Sequence, residues 1–174
     1  MNKKVLIIVV CVMILVAIGA IVVVNINNKN NDNQNSDVLK EEESLNLTVS
    51  YLGVDVTPGV EFSSENIPEE GEYSQIPSCA FQGTDNVAIY SHVEITSAQI
   101  DGSEKVYSVY FLDDEISTPE GVKITDARSD VIDAYGDDFE DVDGKITYID
   151  DQVELSFLIE NDIVTSIEYV YVIE

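Results

Sequence analysis

The sequence predicts an α+β domain, mainly antiparallel sheet, made of two tandem units that each hold a short helix plus strands, behind an N-terminal transmembrane helix. Three observations predict it. A 20-residue run without charge, Val5–Val24, stands near the start. Apolar and polar residues then alternate with period two over many short segments. Segments from the first half recur, in order, in the second.

The N-terminus sets the expected location. Met1–Lys4 is basic, and a basic flank favours the cytoplasmic side. Twenty helical residues span about 30 Å, the thickness of a bilayer core. A cleaved signal has an apolar region of only about 7–15 residues. Here Ile21–Val24 carries the run past the small residues Ala17-Ile18-Gly19-Ala20. The expectation is residues 1–4 as a cytoplasmic tip and 5–24 as an uncleaved signal-anchor. The protein is then single-pass in the cell membrane, with its C-terminal domain extracellular. Cys11 follows Val10, where a bacterial lipobox wants a small residue, so it reads as an apolar filler of the membrane helix. Residues 25–44, rich in Asn and Asp, cannot bury enough apolar surface to offset ordering and read as a linker.

Residues 45–118 and 119–174 are the two expected repeat units. Leu45, Leu47, Val49 and Tyr51 alternate with polar residues as in a half-buried strand. Thr57-Pro58-Gly59 suggests a turn of helix through Phe62. Val87–Ile100 reads as one long strand, followed by the turn dipeptide Asp101-Gly102. In the next strand Val106, Ser108 and Tyr110 share one face, and Tyr107, Val109 and Phe111 the other. Thr125 or Asp126 can cap a helix whose inner side is Ala127, Val131, Ala134 and Tyr135, ended by Gly136. Lys145–Ile149, Gln152–Ile159 and Ile163–Ile173 read as three strands, with turns at Asp150-Asp151 and Asn161-Asp162.

The repeat aligns Gly53–Thr57 with Gly121–Thr125, each a short strand ending at a helix start. It aligns His92–Ile95 with Gln152–Leu155, and Lys105–Phe111 with Ile163–Tyr169. Two such units would set their sheets side by side and share a core.

Charge excludes whole classes of function. The chain has 8 Lys+Arg against 34 Asp+Glu, a net charge of −26. Phosphate binding needs a basic surface, so no nucleic acid is expected. Docking of the folded part on anionic lipid is excluded for the same reason. Membrane contact is expected through residues 5–24 only.

The catalytic inventory is poor. There are 2 Cys, 1 His and no Trp. Cys79 and His92 are the only exported thiol and imidazole. If Ile89, Val93 and Ile95 face the core, His92 turns outward with Tyr90 and Glu94, while Cys79 packs as a small buried residue. No nucleophile–base pair results. Zinc spacing is absent. The stretch Asp137–Gly144 superficially resembles a calcium loop, but placing Gly144 at the sixth position puts Phe139 at the first, where an acid is required. Asp137, Asp138, Asp141 and Asp143 therefore read as a solvated acidic loop, with non-EF calcium coordination as the alternative. A glycosidase carboxylate pair cannot be picked from acids that are everywhere, and no Trp offers a sugar platform. No catalytic residue and no cofactor is assigned.

Several segments carry a family likeness: Gly53–Phe62 (GVDVTPGVEF), Ile76–Gly83 (IPSCAFQG), Thr118–Gly121 (TPEG), Asp130–Gly136 (DVIDAYG) and Val164–Tyr169 (VTSIEY). On these the chain resembles an uncharacterised family of exported, membrane-anchored or lipid-anchored proteins of clostridia-type bacteria. The family pattern has Gly-Asp-Ser before the helix; here Thr125-Asp126-Ala127 stands there, so any close backbone approach by that glycine is lost. The repeat is also similar to the helix-then-sheet unit of outer-membrane assembly lipoproteins and of β-lactamase-inhibitor proteins. That resemblance implies protein binding rather than catalysis, at the level of fold only. The expected function is a non-catalytic binding or scaffolding module at the cell envelope, with another exported or envelope protein as partner. The alternative is an acidic envelope protein that responds to calcium or magnesium.

Overall fold

A computed structural model describes residues 45–173, apart from 79, 80 and 82. The strands are β1 (Val49–Tyr51), β2 (Val54–Val56), β3 (Glu72–Pro77), β4 (Thr84–Ile89), β5 (Val93–Ile100) and β6 (Ser103–Phe111). After the helix α1 (Arg128–Tyr135) come β7 (Glu140–Val142), β8 (Lys145–Asp150), β9 (Val153–Glu160) and β10 (Ile163–Tyr171). β1 and β2 pair as a hairpin, and the other eight strands form one antiparallel sheet in the order β3-β4-β5-β6-β10-β9-β8-β7. The class is thus α+β, mainly antiparallel. The anchor at 5–24 and the linker at 25–44 lie outside the described residues. Among the described residues no helix is long and apolar enough to cross a membrane.

Turn chemistry fixes the register. Asp101-Gly102, Asp143-Gly144 and Asn161-Asp162 all take positive φ at both central positions. That is the mirror-image turn whose twist matches the flanking strands. Because side chains alternate with period two, each such turn decides which residues of both strands face inward.

One face of the sheet is covered. A row of directly paired residues crosses it: Tyr73, Ala88, Ile95, Val109, Tyr169, Leu155 and Tyr148. All but Tyr73 are buried. Val131 and Tyr135 of α1 join this core, as do Val49, Tyr51 and Val56 of the small hairpin. Tyr135 packs on Tyr148 and Phe157 at centroid separations of 5.2 and 5.5 Å. Each fully buried side chain of this size contributes roughly 1.5–3 kcal/mol through the hydrophobic effect.

Several sequence expectations are corrected. Val87–Ile100 is two strands, β4 and β5, because the chain turns at Ser91-His92 and the Tyr90 amide donates to the Val93 carbonyl at 2.9 Å. Tyr90 consequently faces the core and Ile89 faces outward. Residues 57–62 form no helix. Gly59–Phe62 instead run along β6: the Gly59 amide donates to the Val106 carbonyl at 2.8 Å, the Val106 amide to the Val60 carbonyl at 2.8 Å, and the Phe62 amide to the Glu104 carbonyl at 3.0 Å. Residues 121–125 are loop rather than strand. A bulge in β6, where Thr96 and Ser97 oppose Ser108 and Val106, leaves Tyr107 unpaired. Past the bulge the alternation shifts, so Val106, Val109 and Phe111 all turn inward. The α1 cap is Ala127, whose amide donates to the Asp130 carboxylate at 2.9 Å; Asp126 instead accepts the Lys123 amide at 2.7 Å. The turn after β8 falls on Asp151-Gln152 rather than Asp150-Asp151. β7 lies in the stretch expected as an acidic loop, and among the described residues 45–118 there is no α-helix.

The hydrogen bonds of the two halves correspond. The Thr125 amide donates to the Val164 carbonyl, the Val164 amide to the Asp126 carbonyl, and the Arg128 amide to the Asp162 carbonyl. These repeat, one for one, the three bonds that tie Gly59, Val60 and Phe62 to β6. Gly59 at φ 93° matches Thr125 at φ 86°. β10 carries a bulge at Thr165, as β6 does at Tyr107. The strand alignment of Lys105–Phe111 with Ile163–Tyr169 agrees with these bonds. The alignment of Gly53–Thr57 with Gly121–Thr125 does not, because Gly59 rather than Thr57 occupies the place of Thr125.

Candidate functional site

The uncovered face of the sheet carries a second continuous row. Glu72, Ile89, Glu94, Tyr110, Glu168, Ser156, Thr147 and Glu140 pair directly, one from each of the eight strands. The next row adds Thr96, Ser108, Val170, Glu154 and Ile149. Directly opposed side chains on one face lie about 4.5–5.5 Å apart at Cβ. The centre of the face is therefore a strip of carboxylates and hydroxyls, of which Ser108, Thr147 and Ser156 are buried. Toward the edges exposed carboxylates and aliphatics alternate: Glu72 and Glu140 end the row on the two edge strands, with Ile89 beside the first and Ile149, 54% exposed, and Val142, 65% exposed, near the second.

The polar groups at the β8–β9 side are satisfied among themselves. Lys145 Nζ donates to Glu154 Oε1 at 3.1 Å, Ser156 Oγ donates to the same oxygen at 3.0 Å, and Thr147 Oγ1 and Ser156 Oγ lie 3.2 Å apart. Glu168 stands apart. It sits on the central strand β10, and among the described residues its carboxyl has no side-chain hydrogen-bond partner. Although some of its surface remains accessible, the protein packed around it removes most of its hydration. That desolvation pushes its pKa up to about 7, assisted by Glu154 and Glu94 and opposed by Lys145. Burial also raises Glu94. The Tyr107 phenol is raised by burial and then by the charges of Glu168, Glu154 and Asp85. Phe81 covers Tyr107 edge-to-face at 5.2 Å. Asp85, on the same face of β4, is buried and raised by desolvation, which a hydrogen bond from Ser78 opposes; its Oδ1 has no partner among the described residues.

The candidates that the sequence singles out are scattered. His92 lies in the β4–β5 turn and bonds Asp113 through Nδ1 at 2.9 Å, with Tyr51 edge-on at 6.4 Å. The His92 bond and the Glu115 amide hold the Asp113 carboxyl below its usual range. Cys79 lies outside the described residues. Of the acidic stretch, Asp141 is taken by Arg128 at 2.9 Å and accepts the Gly144 amide at 3.2 Å, while Asp143 forms the β7–β8 turn. Asp137 and Asp138 are exposed before β7. Among the described residues no three His, Cys, Asp or Glu side chains are gathered as a metal group.

A polar cleft of about 400 Å³ opens between β1 and the Ser117-Thr118-Pro119 turn. Three of its four hydroxyl residues are engaged within the fold, Ser50 donating to Asp55 at 2.5 Å. Thr48 and Thr57 share a hydrogen bond of 2.9 Å, and Thr118 Oγ1 accepts the Val122 amide at 3.1 Å.

The Glu94–Tyr110–Glu168 row is not among the candidates read from the sequence. Each of its residues falls on an expected strand, but only the strand order brings β6 and β10 together. The one signal for it is the pairing of Tyr110 with Glu168 in the repeat alignment.

No protein-family model matches the chain, no curated protein matches its sequence, and no solved structure matches its fold.

Proposed function

We propose that the protein is a non-catalytic binding or scaffolding module, anchored through residues 5–24 and displayed outside the cell, whose uncovered sheet face holds another exported or envelope protein. One observation carries the reading: an eight-stranded sheet with a buried row on one face and, on the other, aromatic and acidic residues interspersed with exposed Ile89, Val142 and Ile149. A face that mixes exposed aliphatic side chains with aromatic and acidic ones suits a protein surface, where apolar contacts and charged contacts occur side by side. The corresponding hydrogen bonds of the two halves support a duplication of units 45–118 and 119–174. The strongest test places a photoreactive residue at Thr96 on the face and a second at Asp133 on α1, in the full chain in its native membrane. Cross-linking to a defined envelope protein from Thr96 but not from Asp133 supports the reading. Equal labelling from both sites, or none from Thr96, overturns it.

The alternative, response to calcium or magnesium, draws on the spread of acids along the chain. Arg128 bound to Asp141 weighs against a discrete site there.

A further inference from the structure

We infer that the uncovered face receives a basic side chain, lysine or arginine, from its protein partner, seated over Tyr110 and Glu168 at the centre of the sheet. This deepens the binding reading above and rests on it.

The charge on the face is one-sided. Glu94, Glu154 and Glu168 project from β5, β9 and β10, and the base beside them, Lys145, is already held by Glu154. Among the described residues Glu168 has no side-chain hydrogen-bond partner. A half-buried carboxylate without a partner is costly, and a cation brought by a binding partner removes that cost. Tyr110 stands directly opposite both Glu94 and Glu168. Its ring offers a π-surface on which an ammonium or guanidinium can rest. Ile89, opposite Glu94, and Ile149, opposite Glu154, give the flanking residues of the partner an apolar contact.

Other occupants fit less well. A divalent cation needs several carboxylate oxygens converging, and no group of three such residues is gathered among the described residues. An anionic lipid surface or a nucleic acid is repelled by the same charges.

The test uses the full chain in non-ionic detergent and a random 12-residue peptide library as probe. Acidic proteins select basic peptides nonspecifically, so the decisive readout is a double-mutant cycle. The selected peptides should cross-link to a photoreactive residue at Thr96. Changing their central Arg or Lys to Gln should weaken binding at least tenfold. Glu168→Gln should weaken the parent peptide by a similar factor and leave the Gln peptide nearly unchanged. Asp137→Asn and Glu120→Gln should have little effect. A peptide that cross-links at Thr96 but lacks a basic residue, or is indifferent to Glu168→Gln, overturns the inference and leaves the binding module standing. Cross-links from Thr96 to the chain's own Lys29 or Lys40 would assign the face to its own linker and overturn the inference. Absence of any peptide or protein contact at Thr96 sinks the binding reading itself.

Discussion

Tyr110 and Glu168 face each other across the β6–β10 pair, at the one place where the repeat alignment pairs a residue with its own counterpart. Around this point the neighbouring pairs exchange: Val109 opposes Tyr169, and the aligned residues of those two are Ile167 and Phe111. The two halves of the sheet therefore meet at Tyr110 and Glu168, and both side chains emerge on the uncovered face. This places an aromatic ring and a desolvated carboxyl at the middle of an eight-stranded sheet.

Glu168 should make stability fall as pH rises. Its folded-state pKa is raised to about 7, so the folded protein holds this proton after the unfolded chain has released it. The associated stability is fully present below the unfolded value, about 4.5, and is lost as pH climbs through 7. The full shift corresponds to roughly 3 kcal/mol. Glu168→Gln should stabilise the protein by about 1–3 kcal/mol at pH 8 and by little at pH 4. Urea unfolding of both proteins at the two pH values checks this. A constant difference would mean that the carboxyl titrates normally. The groups facing it are Tyr107 and Tyr110 of β6, Glu94 of β5, Glu154 of β9 and Lys145 of β8, so Glu154→Gln should lessen the effect.

Tyr169→Phe should be neutral or stabilising by up to about 1 kcal/mol, because deleting a buried hydroxyl without a partner removes a desolvation penalty. The Tyr169 hydroxyl is buried with no partner among the described residues. The nearby Tyr135 hydroxyl is engaged with Glu120. Tyr148→Phe is the contrast, since it removes a 2.8 Å bond to the Gly136 carbonyl and should cost about 1 kcal/mol. Thermal unfolding of both variants checks the order; a larger loss for Tyr169→Phe would refute it.

Two glycines should fail for different reasons. A Cβ on Gly59 would lie 2.6 Å from Tyr171 Cε2, at φ 93°. Gly59→Ala therefore combines backbone strain with a clash and should cost about 2 kcal/mol or more. Gly136 has open space, but its φ of 85° and ψ of −171° belong to glycine alone. Gly136→Val should cost about 1–3 kcal/mol through the backbone. Truncating Tyr171 to Ala should make Gly59→Ala less costly and leave Gly136→Val unchanged, as melting of the double variants would report.

Salt should stabilise the protein. From residue 41 onward 32 acids face 4 bases. Their mutual repulsion opposes compaction and is screened over about 8 Å at physiological ionic strength. Sodium chloride should raise the melting temperature, and calcium and magnesium should raise it further and to similar extents. With Asp141 bound to Arg128, Asp141→Asn and Asp143→Asn should leave the calcium response intact. A micromolar calcium isotherm abolished by those changes would move the function to cation sensing.

Features that act over a few residues are legible in the chain alone. Alternation locates β1, β8, β9 and β10, the turn dipeptides Asp101-Gly102 and Asn161-Asp162 fix their hairpins, and Gly136 marks the end of α1, because propensity and turn geometry are local. The placement of acids and bases is equally plain, and the expectation of no phosphate partner rests on it. Features that depend on distant chain are settled only by the folded sheet. The stretch Thr57–Phe62 carries a helix-start signal, yet β6 offers unpaired backbone groups that a single helical turn cannot match. Tyr90 reads as outward-facing until the chain turns beside it. Asp141 reads as part of a solvated acidic loop until Arg128 arrives from α1. The candidate site belongs wholly to this second kind: Glu94, Tyr110 and Glu168 come together because β10 docks on β6, and the desolvation that sets Glu168 apart exists only in the assembled sheet.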